Sequence, residues 1–164
     1  MINNVSRRQF VELTGLVAAG LGLVGCGGGS GSASGSSDSI KIGIMGPFSG
    51  DVAQYGLACR NGAQLYFKQL NDKGGVNGKK IDMDVQDEKG DATEAVSVYN
   101  KLVQDGVTGI VGDVTSTPTI AVAQASVTDN MPCVTASATA ADVISFGKNY
   151  FRACITDPLQ GKVM

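Results

Sequence analysis

From Ile40 onward, short apolar runs alternate with longer stretches in which apolar residues recur every three or four positions, and no other feature limits the fold so tightly. Ile40–Gly46, IKIGIMG, reads as a strand that leaves through glycine. Between Ala53 and Asp72, Ala63, Phe67 and Leu70, with Tyr66 beside them, form the stripe of an amphipathic helix that stops at Lys73-Gly74-Gly75. Asn77-Gly78 supplies a turn before residues 79–87, where Ile81, Met83 and Val85 alternate with polar residues as on a half-buried strand near a sheet edge. Asp91-Ala92-Thr93-Glu94 has capping-box spacing and opens a helix striped by Ala95, Val98, Tyr99, Leu102 and Val103, which Asp105-Gly106 ends. TGIVG, residues 108–112, is short and apolar, as a covered parallel strand should be. A helix carrying Ile120, Ala123 and Val127 follows, then PCVTA as a strand, a polar turn, NYFRACI as a further strand, and a helix beginning near Asp157.

The order is therefore β-α-β-α-β-α-β-turn/helix-β. Parallel neighbours need a crossover, nearly always right-handed, so this alternation predicts an α/β fold built on a doubly wound, mostly parallel sheet. Ligands of such sheets sit beyond the carboxyl ends of the strands, where strand order reverses. Two hydroxyl-bearing turns fall at those ends. GDVTSTPT, residues 112–119, follows the third strand, with Ser116 or Thr117 suited to the N-cap and Pro118 to the first helical position. Thr135-Ala136-Ser137-Ala138-Thr139 leaves the next strand. Unpaired amides at a helix start, with hydroxyls added, can take a small anion such as a carboxylate. The plainer alternative is that each cluster caps its own helix; their position after consecutive strands favours one shared ligand.

The first 39 residues read as an address and a tether. Ser6-Arg7-Arg8-Gln9-Phe10 precedes an apolar stretch to Val24, too short to span a bilayer comfortably, and the arginine pair resembles a twin-arginine export signal. Leu23-Val24-Gly25-Cys26 resembles a bacterial lipobox, which makes residues 1–25 a leader and Cys26 the lipidated first residue of the mature chain. Two or more acyl chains hold a membrane stably, each buried methylene contributing about 0.8 kcal/mol. Residues 26–39 then form the lipidated cysteine and a Gly/Ser linker, whose thirteen residues from Gly27 onward span roughly 20 Å as a coil. The folded domain is expected over residues 40–164.

Composition excludes several functions. There is no histidine, so imidazole bases, Ser-His or Cys-His nucleophiles and histidine metal ligation are ruled out. A net charge of −2 gives no basic face for nucleic acid. Cys59, Cys133 and Cys154 lack CxxC spacing and read as small buried hydrophobes. Gly43, Gly46 and Gly50 miss the dinucleotide fingerprint, and GGVNGKK, residues 74–80, falls one residue short of a phosphate loop. Asp82, Asp84, Asp87 and Glu88 lack the twelve-residue calcium-loop pattern and read as a solvated strand edge and turn. No cofactor and no catalytic residue is expected.

The blocks IKIGIMGPFSGDVAQYG, NDKGGVNGKKI, LVQDGVTGIVG, the following ST pair, PCVTASATA and YFR…DPLQG, in this order, resemble the first lobe of the branched-chain amino-acid binding proteins. These are type I periplasmic solute-binding proteins of ABC importers. The resemblance implies a two-lobed protein that closes around its solute, with this chain carrying the N-terminal lobe and the second lobe absent. It implies that Ser116, with the backbone N–H of Thr139, holds the solute's α-carboxylate. The backbone carbonyl of Ser137 and the hydroxyl of Thr139 would take the α-ammonium, and Tyr55 and Thr115 would wall the side-chain pocket. The implied partners are a small amino acid or similar solute, permease subunits, and a membrane reached through the lipid on Cys26. An acidic residue that completes ammonium binding would lie in the missing lobe, and the disulfide of some members has no counterpart, position 90 being glycine. A ligand-sensing regulatory domain of the same fold, or a non-functional fragment, is the alternative; the tether favours transport.

Overall fold

The computed structural model describes residues 39–164. The expected leader, Cys26 and the tether as far as residue 38 lie outside the described residues. The elements follow one another as β1 (Ile40–Gly46), α1 (Ala53–Asp72), β2 (Ile81–Asp87), α2 (Ala92–Gln104), β3 (Gly109–Val111), α3 (Ser116–Asp129), β4 (Cys133–Thr135), a 3₁₀ turn (Ala141–Ile144), β5 (Tyr150–Arg152) and α4 (Asp157–Val163). All five strands are parallel, in the order β2-β1-β3-β4-β5. The alternating strand 81–87 takes one edge, as its pattern predicts.

This order reverses at β1, which pairs with β2 on one side and β3 on the other. Right-handed crossovers then send α1 to one face of the sheet and α2 and α3 to the other. The packing agrees: α2 and α3 lie against each other, and α1 lies against β1 and β2. The core gathers on the two-helix face, from Met45 and Ile110 of the strands to Ala95, Val98, Tyr99 and Leu102 of α2 and Val122 and Ala123 of α3. Only Gly56 of α1 is buried. Ala63, Phe67 and Leu70 are half-buried as their spacing predicts, but Tyr66 is 62% exposed, because a lone helix covers its sheet face with a narrow stripe.

Asp91 caps α2, its carboxylate accepting from the backbone N–H groups of Thr93 and Glu94, both at 2.8 Å. Glu94 does not return the bond that the capping-box spacing predicts; its carboxylate lies 3.8 Å from the Lys89 ammonium. In α3 the buried face runs through Thr119, Val122, Ala123 and Ser126, not through Val127, which is 43% exposed. Hydroxyls are tolerated on that face because each bonds back to its own helix, Thr119 Oγ1 to the Thr115 carbonyl at 2.7 Å and Ser126 Oγ to the Ala123 carbonyl at 3.0 Å. Cys59, Cys133 and Cys154 are free thiols; Cys133 is buried as expected, whereas Cys59 and Cys154 are only half-buried, which corrects that expectation for both. Burial pushes the Cys133 thiol up to about 12, so it behaves as an inert core side chain.

Candidate functional site

Gly46, Asp87, Val111, Thr135 and Arg152 end their strands on one rim, and the turns leaving that rim build a cleft. An open space of about 280 Å³ is lined by Tyr55, Val114, Thr115, Ser116, Ser137 and Thr139. The five residues that the sequence nominates for a ligand are therefore neighbours, joined by Val114, which it does not nominate. All six are uncharged.

The wall after β3 depends on Gly112. Its φ is +137°, and a Cβ there would sit inside the Met45 carbonyl, so only glycine lets the strand turn sharply past β1. Thr115 occupies the N-cap of α3 in extended conformation with no side-chain cap hydrogen bond. This corrects the expectation that Ser116 or Thr117 caps and Pro118 opens the helix: Ser116 is the first helical residue, and Pro118 falls in the first turn, where its missing N–H is still no loss. The hydroxyls are thus not consumed in capping α3. Ser116 Oγ instead accepts from the Ala140 N–H across the cleft at 3.3 Å.

The second wall leaves β4. Buried Thr135 organises it, its hydroxyl accepting from the N–H groups of Ser137 at 3.4 Å and Ala138 at 3.1 Å. Ser137 Oγ then donates to the Val114 carbonyl at 2.7 Å, lacing the two walls together. Arg152 of β5 braces this turn from behind, its guanidinium donating to the carbonyls of Ala138 at 3.2 Å and Ala140 at 2.7 Å. The Thr139 carbonyl accepts from the Asp157 N–H at 3.1 Å, fixing where α4 starts. Tyr55 closes the third side from the first turn of α1. It can reach the rim because Gly56 lets α1 press against the Pro47 carbonyl, a space any Cβ would fill.

Three buried side chains beneath the cleft escape the sequence reading. Tyr150 sends its hydroxyl past β4 to the turn after β3, donating to the Gly112 carbonyl and accepting from the Asp113 N–H, each at 2.7 Å. Asp113 is itself wholly buried, and so is Glu88 after β2. Glu88 thereby corrects the expectation that all four acidic residues near β2 are solvated. Asp87 does behave as a turn residue, its carboxylate accepting from Phe48 N–H at 2.8 Å and Lys89 N–H at 3.0 Å. Charge alone gives no signal for an inward-facing carboxyl; the one available cue is that Glu88 and Asp113 both lie just past strands flanking the reversal point.

Chemically, the cleft offers helix-start amides, hydroxyls that can donate or accept, and an aromatic wall. The positive end of the α3 dipole faces it, which suits a small anionic group balanced by polar acceptors. Among the described residues no group of histidine, cysteine or carboxylate side chains is spaced to hold a metal ion.

A doubly wound lobe with a rim cleft of this kind defines a class of ligand-binding proteins, and comparison with known proteins makes it specific. The model for the periplasmic binding protein family matches residues 39–158, and the chain belongs to that family. It is 41% identical over 128 residues to the leucine-, isoleucine-, valine-, threonine- and alanine-binding protein of Pseudomonas aeruginosa, covering 77% of this chain and 34% of that one. It is 38% identical to the Leu/Ile/Val-binding protein BraC3 of Rhizobium johnstonii, covering 76% and 34%. The fold superposes on the branched-chain amino acid transporter substrate-binding protein LivJ of Streptococcus pneumoniae, solved with isoleucine, with a TM-score of 0.70 and 35% identity over 73% of this chain and 34% of that one. It also superposes on a leucine-binding protein LivK of Thermotoga maritima, with a TM-score of 0.70 and 27% identity, covering 76% and 35%. The chain spans about a third of the length of these relatives.

Proposed function

We propose that this chain forms the N-terminal lobe of an extracytoplasmic solute-binding component of an ABC importer for branched-chain or related small amino acids, and that it recognises its solute without catalysis. The observation that carries this reading is the meeting of Tyr55, Thr115, Ser116, Ser137 and Thr139, from three separate strand exits, around one uncharged cleft at a helix start. A zwitterion needs donors at one end and acceptors at the other, in a pocket that a second lobe can close against water. Ser116 Oγ and the Thr139 N–H serve the α-carboxylate. The Ser137 carbonyl and Thr139 Oγ1 serve the α-ammonium, while Tyr55 and Thr115 wall the aliphatic side chain. Anchoring through a lipid on Cys26 would hold the lobe near permease subunits at the outer face of the membrane.

Backbone-amide NMR of the chain, titrated with leucine, isoleucine, valine, threonine and alanine, tests this directly. We expect the Ser116, Ser137 and Thr139 resonances to shift together in a saturable way. Ser116→Ala should weaken the interaction by about 1–3 kcal/mol, roughly 5- to 150-fold, as for a hydroxyl facing a buried charge. Shifts with none of the five amino acids, or an affinity that Ser116→Ala leaves unchanged, would refute the assignment.

A further inference from the structure

At the reversal point of the sheet, two buried carboxyl groups lie just past the strands that flank β1. Glu88 leaves the end of β2 and Asp113 leaves the end of β3, on either side of β1; the Glu88 N–H donates to the Gly46 carbonyl at 3.2 Å. Both side chains are completely shielded from solvent. One oxygen of each is taken by local backbone: Glu88 Oε2 accepts from the Gly90 N–H at 2.8 Å, and Asp113 Oδ1 accepts from the Val114 N–H. The other two oxygens, Glu88 Oε1 and Asp113 Oδ2, are buried with no hydrogen-bond partner, and the two carboxyls are close enough to act on each other. Two ionised carboxylates so placed repel strongly in a medium of low polarity, whereas a carboxylic acid facing a carboxylate forms a strong, short-range bond. We propose that Glu88 and Asp113 share a single proton, and that this proton ties the turn after β2 to the turn that presents Thr115 and Ser116, making Glu88 a positioning residue for the cleft.

A further carboxylate, Asp87, also acts on Glu88, and its repulsion favours the protonated form. Asp87, on the same turn as Glu88, is engaged with Phe48 and Lys89 backbone. The Lys89 ammonium is exposed and lies near Glu94 of α2. From α1, Cys59 and Arg60 border the space beside Asp113, with the Arg60 guanidinium seated over the Phe48 ring at 5.3 Å. From β5, Tyr150 meets the Asp113 N–H through its hydroxyl and leaves the carboxylate alone. Burial and the facing Asp113 push Glu88 up to about 8, and burial pushes Asp113 up to about 6. The folded chain therefore retains a proton that an unfolded glutamate, with its ordinary value of 4.5, has released. Stability from this source is complete below pH 4.5 and is lost as pH rises through about 8. Above that, two negative charges press the turns apart.

Proton sharing needs no ligand, but its consequence for the cleft rests on the function proposed above. Carboxyl ¹³C NMR of the full chain tests the first part between pH 4 and 10. We expect one glutamate carboxyl to titrate above pH 7, with the Thr115 and Ser116 amides following the same curve. In urea, the wild-type unfolding midpoint should fall from pH 6 to pH 9. Glu88→Gln, which still donates to Asp113 but cannot ionise, should flatten that fall. The proposal is overturned if every glutamate titrates below pH 6, if the Thr115 and Ser116 amides ignore the transition, or if Glu88→Gln keeps the full pH dependence. The wild-type titration decides the matter even if the variant fails to fold. Absence of amino-acid binding would sink the functional reading while leaving these curves intact.

Discussion

Removing one oxygen atom from Tyr150 should test how the cleft is held. Tyr150 is 4% exposed, and its hydroxyl satisfies two buried backbone groups at once, the Gly112 carbonyl and the Asp113 N–H, each at 2.7 Å. Phenylalanine keeps the ring and its packing, so the cavity cost is small and the loss is almost wholly polar. Each buried group left without a partner costs about 1–3 kcal/mol. Some local relaxation offsets part of the loss, which puts Tyr150→Phe at roughly 2–4 kcal/mol. For a folded unit of this size, at roughly 4 °C per kcal/mol, the melting temperature should drop by about 8–16 °C. Urea denaturation followed by far-UV circular dichroism measures the free-energy change. Tyr55→Phe provides the contrast, since an exposed hydroxyl should matter by less than about 0.5 kcal/mol. If Tyr150→Phe falls within that same small range, the hydroxyl does not secure the turn after β3, and the account of how Thr115 and Ser116 are held is wrong.

Two further substitutions probe the framework. Gly112→Ala places a methyl group against the Met45 carbonyl at a φ that L-residues rarely adopt, and should destabilise by about 3 kcal/mol or more, read in the same denaturation assay, with β1 and β3 amides shifting in NMR spectra. Asp91→Ala removes the acceptor for two helix-start N–H groups of α2 and should cost about 1 kcal/mol, while Asp91→Asn should recover most of it.

The bounds of β1 and α1 were readable because hydrophobic period and glycine stops agree there: the helix ends at Asp72, where Lys73-Gly74-Gly75 predicts it. The stripe of α2 was readable for the same reason, Ala95, Val98, Tyr99 and Leu102 all being buried. The face of α3 was not, because Thr119 and Ser126 look polar in sequence and are buried only after bonding to carbonyls of their own helix. The two hydroxyl turns of the cleft were legible as clusters past consecutive strands, a matter of topology, whereas Tyr55 and Thr115 were reached only through the family resemblance and Val114 was not reached at all. The supports of the cleft were hidden. Tyr150 is 38 residues from the carbonyl it grips, and Arg152 faces inward only because strand alternation turns Phe151 outward, where it is 56% exposed. No local pattern encodes such reach, and a charged residue read alone defaults to solvent.

The unequal covering of the sheet gives the cleft one firm side and one yielding side. Thr115, Ser116, Ser137 and Thr139 project from turns rooted in the layer where α2 and α3 interlock, whereas Tyr55 rides on a helix whose apolar stripe is only half-buried. Segments with little buried contact open first and most often. The turn side of the cleft therefore keeps its geometry while the Tyr55 flank can breathe, which under the function proposed above would admit solutes of different girth beside one constant set of polar contacts.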